Sequence, residues 1–175
     1  MAFSVSTAKL LRQSAKELDM NRFLQWCKAP PEDLLTSRLY SEHLFYREFI
    51  RDIKHCTHEV IIESPYLTEK RVLLLLPTLS KLTRRGVRVT VTTRHPREHD
   101  TTLRLQAYKA IPRLHAAGVD LRLVTGHHHR KLAILDGIIL WEGSLNILSQ
   151  NSSAEVMRRI ESRSLSRQMR RFIGY

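Results

Sequence analysis

Cysteine is scarce in this 175-residue sequence, with Cys27 and Cys56 as the only two. Two thiols cannot build a disulfide framework and their spacing matches no zinc signature, so both read as reduced cysteines. Long apolar runs are missing as well. The longest, Val72 to Leu76, falls far short of the roughly 20 residues that span a bilayer. Met1 to Met20 mixes Lys9, Arg12, Lys16, Glu17 and Asp19 among its apolar residues, which is not the pattern of a signal peptide. These absences predict a cytoplasmic protein with no stable membrane insertion. Acidic residues are also few: 17 Asp and Glu face 29 Lys and Arg, for a formal net charge of +12.

The rest of the composition is that of a folded domain. A hydrophobic fraction of 42% and a charged fraction of 26% exclude a disordered polybasic tail, and the length suits one compact domain with a short appendage. The excess positive charge calls for a polyanion, and nucleic acid is the commonest one. Arginine supplies 21 of the 29 cations, and its planar fork grips phosphate where lysine offers a point charge. A plain solvated basic surface is the competing reading.

Residues 1–56 read as a helical extension, and residues 57–175 as the catalytic domain. Ala8, Leu10, Leu11, Ala15 and Leu18 recur at helical spacing, Pro30-Pro31 before Glu32-Asp33 marks a break and a new start, and Ser41 is the expected cap of a further helix through Phe45, Phe49 and Ile53. No strand signal appears there. From Glu59 the texture changes: Val60-Ile61-Ile62 reads as a strand buried on both faces, Val87 to Thr93 as a second and Val119 to Val124 as a third. Helices fill the gaps, one starting at Thr68 with a kink or split expected at Pro77, the other at Asp100 or Thr101. Crossovers of that length give a parallel sheet with packed helices. Asp136-Gly137 then joins two short apolar runs as a hairpin, Glu155 to Ile160 offers another strand, and an arginine-rich helix ends the chain. The expected class is α/β, with a mixed, largely parallel sheet.

The segment Gly126 to Glu155 holds the chemistry: His129-x-Lys131, then Asp136, then Gly143-Ser144-x-Asn146. In extended chain His129 and Lys131 project to one face, so an imidazole and an ammonium can converge on one phosphate. Asp136 has the opposite parity and lies roughly 23 Å further along a strand, which predicts a supporting role, shaping the hairpin or pairing with a backbone or cationic group. Gly143-Ser144 permits a tight turn, and Asn146 offers an amide to a phosphate oxygen. The group reads as an oxyanion clamp that needs neither metal nor cofactor.

These residues resemble the signature of the phospholipase D superfamily, His-x-Lys-x4-Asp followed some ten residues later by Gly-Ser-x-Asn, and the resemblance covers about residues 59–160. It implies a phospholipase D-like half-domain and a two-step displacement in which one histidine forms a phosphohistidine while another, from a second copy of the motif, protonates the leaving oxygen. Histidine titrates near neutrality and can fill both roles. This chain has one copy, so the resemblance implies a homodimer with two His129 residues at a two-fold axis. In the superfamily a downstream glutamate orients the imidazole; Glu155 is the candidate, Glu142 its competitor. His129, Lys131, Asn146, Glu155, Asp136 and Ser144 therefore form the expected catalytic set.

Other residues admit two readings. The His127-His128-His129 triplet could bind a metal, but neighbours on a strand point to opposite faces; the His55, Cys56, His58 group lacks a second ligand pair. Arg94 and Arg97 follow a strand's C-terminal end, where open α/β sheets place ligands, and with Arg130 they are candidate substrate contacts. Tyr66 could stack on a base or lie at the rim. The expectation is a metal-independent phosphodiesterase cleaving DNA or RNA; the alternatives are a hydrolase of anionic, cardiolipin-like phospholipid and a nucleic-acid-binding module with little activity.

Overall fold

The computed structural model describes residues 32–149 and 152–175. The helix expected over residues 8–18 and the Pro30-Pro31 break lie outside them. The chain forms two compact units, Met1–Leu35 and Thr36–Tyr175. In the first, the described residues form one helical turn, Glu32–Leu35. The second begins at Thr36 and so takes in residues 36–56, which the sequence reading assigns to the extension.

That unit is one seven-stranded sheet. Its elements are β1 (Arg38–Ser41), α1 (Glu42–Lys54), β2 (Glu59–Glu63), α2 (Glu69–Arg84), β3 (Arg88–Arg94), a 3-10 turn (Pro96–Glu98), α3 (Thr101–Ala116), β4 (Asp120–Val124), β5 (Leu132–Leu135), β6 (Ile139–Gly143), β7 (Val156–Glu161) and α4 (Arg163–Phe172). The strand order is β1-β7-β6-β5-β2-β3-β4. β2, β3 and β4 run parallel, and β5, β6, β7 and β1 follow as antiparallel neighbours. The α/β class and the hairpin after the parallel strands are as the sequence predicts. β1 is not: Arg-Leu-Tyr-Ser carries no alternation, and pairing with β7 makes it a strand.

Two successive right-handed crossovers in one direction place α2 and α3 on the same face. There Phe45, Phe49 and Ile53 of α1, Leu75, Leu79 and Leu82 of α2, and Ala110 and Leu114 of α3 bury against Val60, Ile62, Val89, Val91 and Trp141. Trp141 takes Phe45 edge-on at 5.3 Å and donates its indole N–H to Asp52 at 3.0 Å. Val60 and Ile62 are fully buried at the sheet centre, and burial at about 25 cal/mol per Å² makes this layer the main stabilising term. α2 runs through Pro77 without interruption; Pro77 sits on the exposed side, where the carbonyl left without an amide partner meets water, while Val72, Leu75, Thr78, Leu79 and Leu82 hold the other side to the sheet. The opposite face is crossed by α4 and the residues after it: Arg170 pairs with Glu59, and the Tyr175 hydroxyl bonds Thr92 at 2.8 Å. Among the described residues no helix is long and apolar enough to cross a membrane.

Candidate active site

β2 and β3 point their C-terminal ends at the same edge where β5 begins, because β5 runs antiparallel to β2 with Leu132 opposite Glu63. Residues just before β5 therefore land where parallel sheets present ligands. Gly126 and His127 both have positive φ, 83° and 55°, and turn the chain into an extended approach to β5. His129 and Lys131 meet on one side of it. Lys131 Nζ lies 2.7 Å from His129 Nδ1 and donates to the His129 carbonyl at 2.9 Å.

Partial burial, then the charges of Lys131 and Arg94, hold the His129 pKa below the ordinary histidine value, which favours a neutral imidazole at pH 7. Burial likewise lowers the Lys131 pKa, and the Glu155 carboxylate works against that shift. Tyr66 stands edge-on to His129 with ring centres 6.0 Å apart, and its other side meets His99 at 5.1 Å.

The loop after β6 starts where the Gly143 N–H reaches the Lys131 carbonyl at 3.4 Å, and it carries Ser144 and Asn146 on an anchored backbone. Leu145, Ile147 and Leu148 are fully buried, the Tyr46 hydroxyl donates to the Ile147 carbonyl at 2.9 Å, and Leu148 accepts from Thr68 N–H at 2.8 Å and donates to Ser64 Oγ at 3.1 Å. Gly143 is required by close approach: a Cβ there would stand 2.1 Å from the Val156 carbonyl oxygen. Ser144 bridges to β7, donating its N–H to the Val156 carbonyl at 3.0 Å and accepting the Val156 N–H on Oγ at 3.1 Å, which leaves its hydroxyl proton to donate. Among the described residues Asn146 Oδ1 and His128 Nε2 are buried without a hydrogen-bond partner, as are the ring nitrogens of His99 and the hydroxyl of Ser149.

A family model described as "Cardiolipin synthase, PLD-like domain" matches residues 49–174, well over half of the chain. The chain belongs to the phospholipase D superfamily. Coarsely, then, it is a phospholipase D-like phosphodiesterase. Its fold is that of a phospholipase D family member, Nuc from Salmonella typhimurium: TM-score 0.62, 14% identity, covering 77% of this chain and 88% of that one. NucT from Helicobacter pylori matches at TM-score 0.60 and 17% identity over 78% and 92% of the two chains. TrmBL2, an archaeal chromatin protein, matches at TM-score 0.51 and 13% identity over 95% of this chain and 61% of that one. A search of curated proteins finds no match.

Within this phospholipase D-like frame the other expected residues take distinct places. Asp136 closes the β5–β6 turn at the far end of β5, with φ of 50°, and its carboxylate accepts four hydrogen bonds: Thr57 N–H at 2.8 Å, Thr57 hydroxyl at 3.2 Å, His58 N–H at 2.9 Å and Glu59 N–H at 2.8 Å. Burial raises its pKa, but the three amides outweigh it and the net shift is downward. Glu155 accepts the Ser153 hydroxyl at 2.9 Å, and its own N–H donates to Glu42 at 3.1 Å. Among the described residues no hydrogen bond joins Glu155 to His129. Glu142 lies opposite Leu132 on β6. Arg94 pairs with Glu98 at 2.8 Å, close enough to influence His129. Arg97 is exposed on the 3-10 turn, its N–H donating to His95 Nδ1 at 3.1 Å. The Arg130 fork is taken by the buried Glu63. Among the described residues no three His, Cys, Asp or Glu side chains converge as metal ligands would.

The sequence reading missed two features. Glu63 is a carboxylate at the end of the β-branched run, only 1% exposed; an acid at the end of a strand buried on both faces was the available signal. A groove of about 490 Å³ also runs from His129 and Lys131 past Leu39, Val156 and Arg158 to Phe172. Its apolar members are widely spaced in sequence, so no local pattern announces it.

Proposed function

We propose that this phosphodiesterase is a nuclease that cleaves DNA or RNA without a metal, through a phosphohistidine formed at a site shared by two copies of the chain. The observation that carries the reading is the 2.7 Å convergence of a single His129 and Lys131. One such pair supplies a nucleophile and an anion clamp but no second imidazole to act as acid. A two-fold copy supplies it.

In the first step a phosphate oxygen draws Lys131 Nζ away from His129 Nδ1; the neutral imidazole then exchanges its proton through solvent from Nε2 to Nδ1, where Glu155 accepts it as a hydrogen bond, and Nε2 is left with a free lone pair. Nε2 attacks phosphorus; the P–N bond forms as the P–O bond to the leaving oxygen breaks, and that oxygen takes a proton from His129 of the partner subunit. Water then attacks the phosphohistidine, gives a proton to the now neutral His129 of the partner subunit, and the P–N bond breaks to release a phosphomonoester. Lys131, the Asn146 amide and the Ser144 hydroxyl hold the phosphate oxygens as charge builds.

Nucleic acid is favoured by the groove and its surroundings. Phe172 is 75% exposed, Leu39 61% and Val156 45%, and Arg158 lines the groove with them. An exposed aromatic sharing a groove with an arginine suits a base and its phosphate, and the formal net charge of +12 favours a polyanion. The apolar lining and the family description also suit an anionic phospholipid, which is the second reading.

One assay separates them: single- and double-stranded DNA, RNA and cardiolipin vesicles incubated with the protein in EDTA, beside His129→Ala. The nuclease reading expects nucleic-acid cleavage in EDTA that His129→Ala abolishes. Cleavage only without EDTA overturns the metal-free mechanism, cleavage of cardiolipin alone selects the lipid reading, and binding without turnover selects a binding module. Sedimentation as a monomer at active concentrations overturns the shared site.

A further inference from the structure

Residues 127–130 lie outside the sheet, and among the described residues no main-chain bond from another element holds them. Side chains do that work. Glu98 Oε1 accepts the Gly126 N–H at 2.9 Å at the start of the segment, while Glu98 itself is tied to Arg94. At the other end stands Glu63, the last residue of β2, opposite Leu132 of β5.

Parity sets up the second tether. Arg130 sits between His129 and Lys131 in extended chain, so its side chain leaves the opposite face from theirs. There it meets Glu63 with both prongs of its fork, Nε on Oε2 and Nη2 on Oε1, the latter at 3.1 Å. The Glu63 carboxylate is 1% exposed, and a buried carboxylate without its cation is costly. Both prongs of Arg130 are engaged on that carboxylate, and a backbone tethered at residue 130 fixes where residues 129 and 131 point.

We infer that Glu63 is a positioning residue, acting through Arg130 to hold the His129 imidazole and the Lys131 ammonium on one phosphate. This gives Arg130 a task that excludes direct grip of substrate by the same prongs. The inference rests on the proposed roles of His129 and Lys131, and it concerns geometry whichever phosphodiester is the natural substrate.

The test compares Glu63→Gln, Arg130→Gln and the double variant using bis(p-nitrophenyl) phosphate as probe, with melting temperature and the His129 ring NMR signals as independent readouts. Arg130→Gln should melt lower and lose about 10- to 100-fold in kcat with KM within about twofold, the expected cost of a small misplacement. In the double variant the buried Glu63 side chain is neutral and can hydrogen-bond the amide at position 130, so melting temperature should recover while kcat stays at least about tenfold down. Recovery of kcat together with stability would show a purely structural pair and overturn the inference. So would a rise in KM at unchanged kcat, which marks a substrate contact. If the wild type turns over neither the probe nor nucleic acid, the proposed function fails and the ring signals decide alone: displacement in both Arg130→Gln and the double variant supports positioning, unmoved signals refute it.

Discussion

The two ends of β5 differ in how their polar groups are used. At the far end the Asp136 carboxylate accepts four hydrogen bonds, three from successive amides that open β2, and nothing in its surroundings is left over. At the near end the His129 imidazole and the Lys131 ammonium hydrogen-bond each other, both with lowered pKa, and among the described residues Asn146 Oδ1 and His128 Nε2 are buried without a hydrogen-bond partner. A saturated carboxylate stabilises a fold. Groups held in place with unused donors and acceptors are preorganised for something that arrives later.

The largest expected effect falls at the near end. His129→Ala should lower phosphodiester cleavage by at least about 10⁴-fold, since it removes the nucleophile and, in a two-fold assembly, the acid as well. Its melting temperature should stay within a few degrees of the wild type, because few contacts are lost. A comparable loss of stability would mean that the two ends of β5 do not differ as described.

Lys131→Gln comes next, with kcat expected about 10²- to 10³-fold down from loss of the clamp. It should also move the pH profile. Lys131 lowers the His129 pKa by disfavouring a second positive charge, so its removal raises that pKa. The acidic limb, where His129 must lose its proton to attack, should shift to higher pH. A limb that stays in place would show that another group titrates there.

At the saturated end the effect is on stability. Asp136→Ala leaves three amides at the start of β2 without their acceptor, at about 1 kcal/mol each, for a fall of roughly 5–10 °C in melting temperature and little change in activity per folded molecule. The pH dependence has a definite sign. A carboxylate whose folded pKa is depressed stabilises the fold above its unfolded value, near 3.9, and that contribution is lost as pH falls through the lower folded value. Denaturation of wild type and Asp136→Asn should therefore differ most above about pH 4 and converge below it. Curves that stay parallel to pH 3 would assign the stability to something other than the ionised carboxylate.

This contrast was half legible in the sequence. Short-range patterns announce β2, β3, β4 and the Asp136-Gly137 turn, and parity places His129 and Lys131 on one face, because each rests on neighbours along the chain. What depends on distant partners was hidden. β1 becomes a strand only through β7, and the boundary at residue 56 fails to show that α1 buries Phe45 and Phe49 in the core of the sheet unit. Glu63 and Arg130 are 67 residues apart, so no window contains both. The proposed orienting role of Glu155 is the hardest to read, since its carboxylate meets Ser153 and the field of Lys131 in a single copy of the chain.

The smallest effect probes a third condition, capacity that is apolar and unused. Phe172 is 75% exposed at the end of the groove, so Phe172→Ala should change stability by no more than about 0.5 kcal/mol. If the ring stacks on a base, the variant should bind single-stranded oligonucleotides about fivefold more weakly, the lower end of what one stacking contact gives, and Phe172→Trp should restore it. Duplex DNA, whose bases are already stacked, should bind nearly as before. Weakened binding to cardiolipin vesicles instead would mean that the groove takes acyl chains, and a change in sedimentation would mean that the second copy covers it. Each outcome assigns the exposed ring to a different surface, because a base, a lipid tail and a protein face all use the same apolar area.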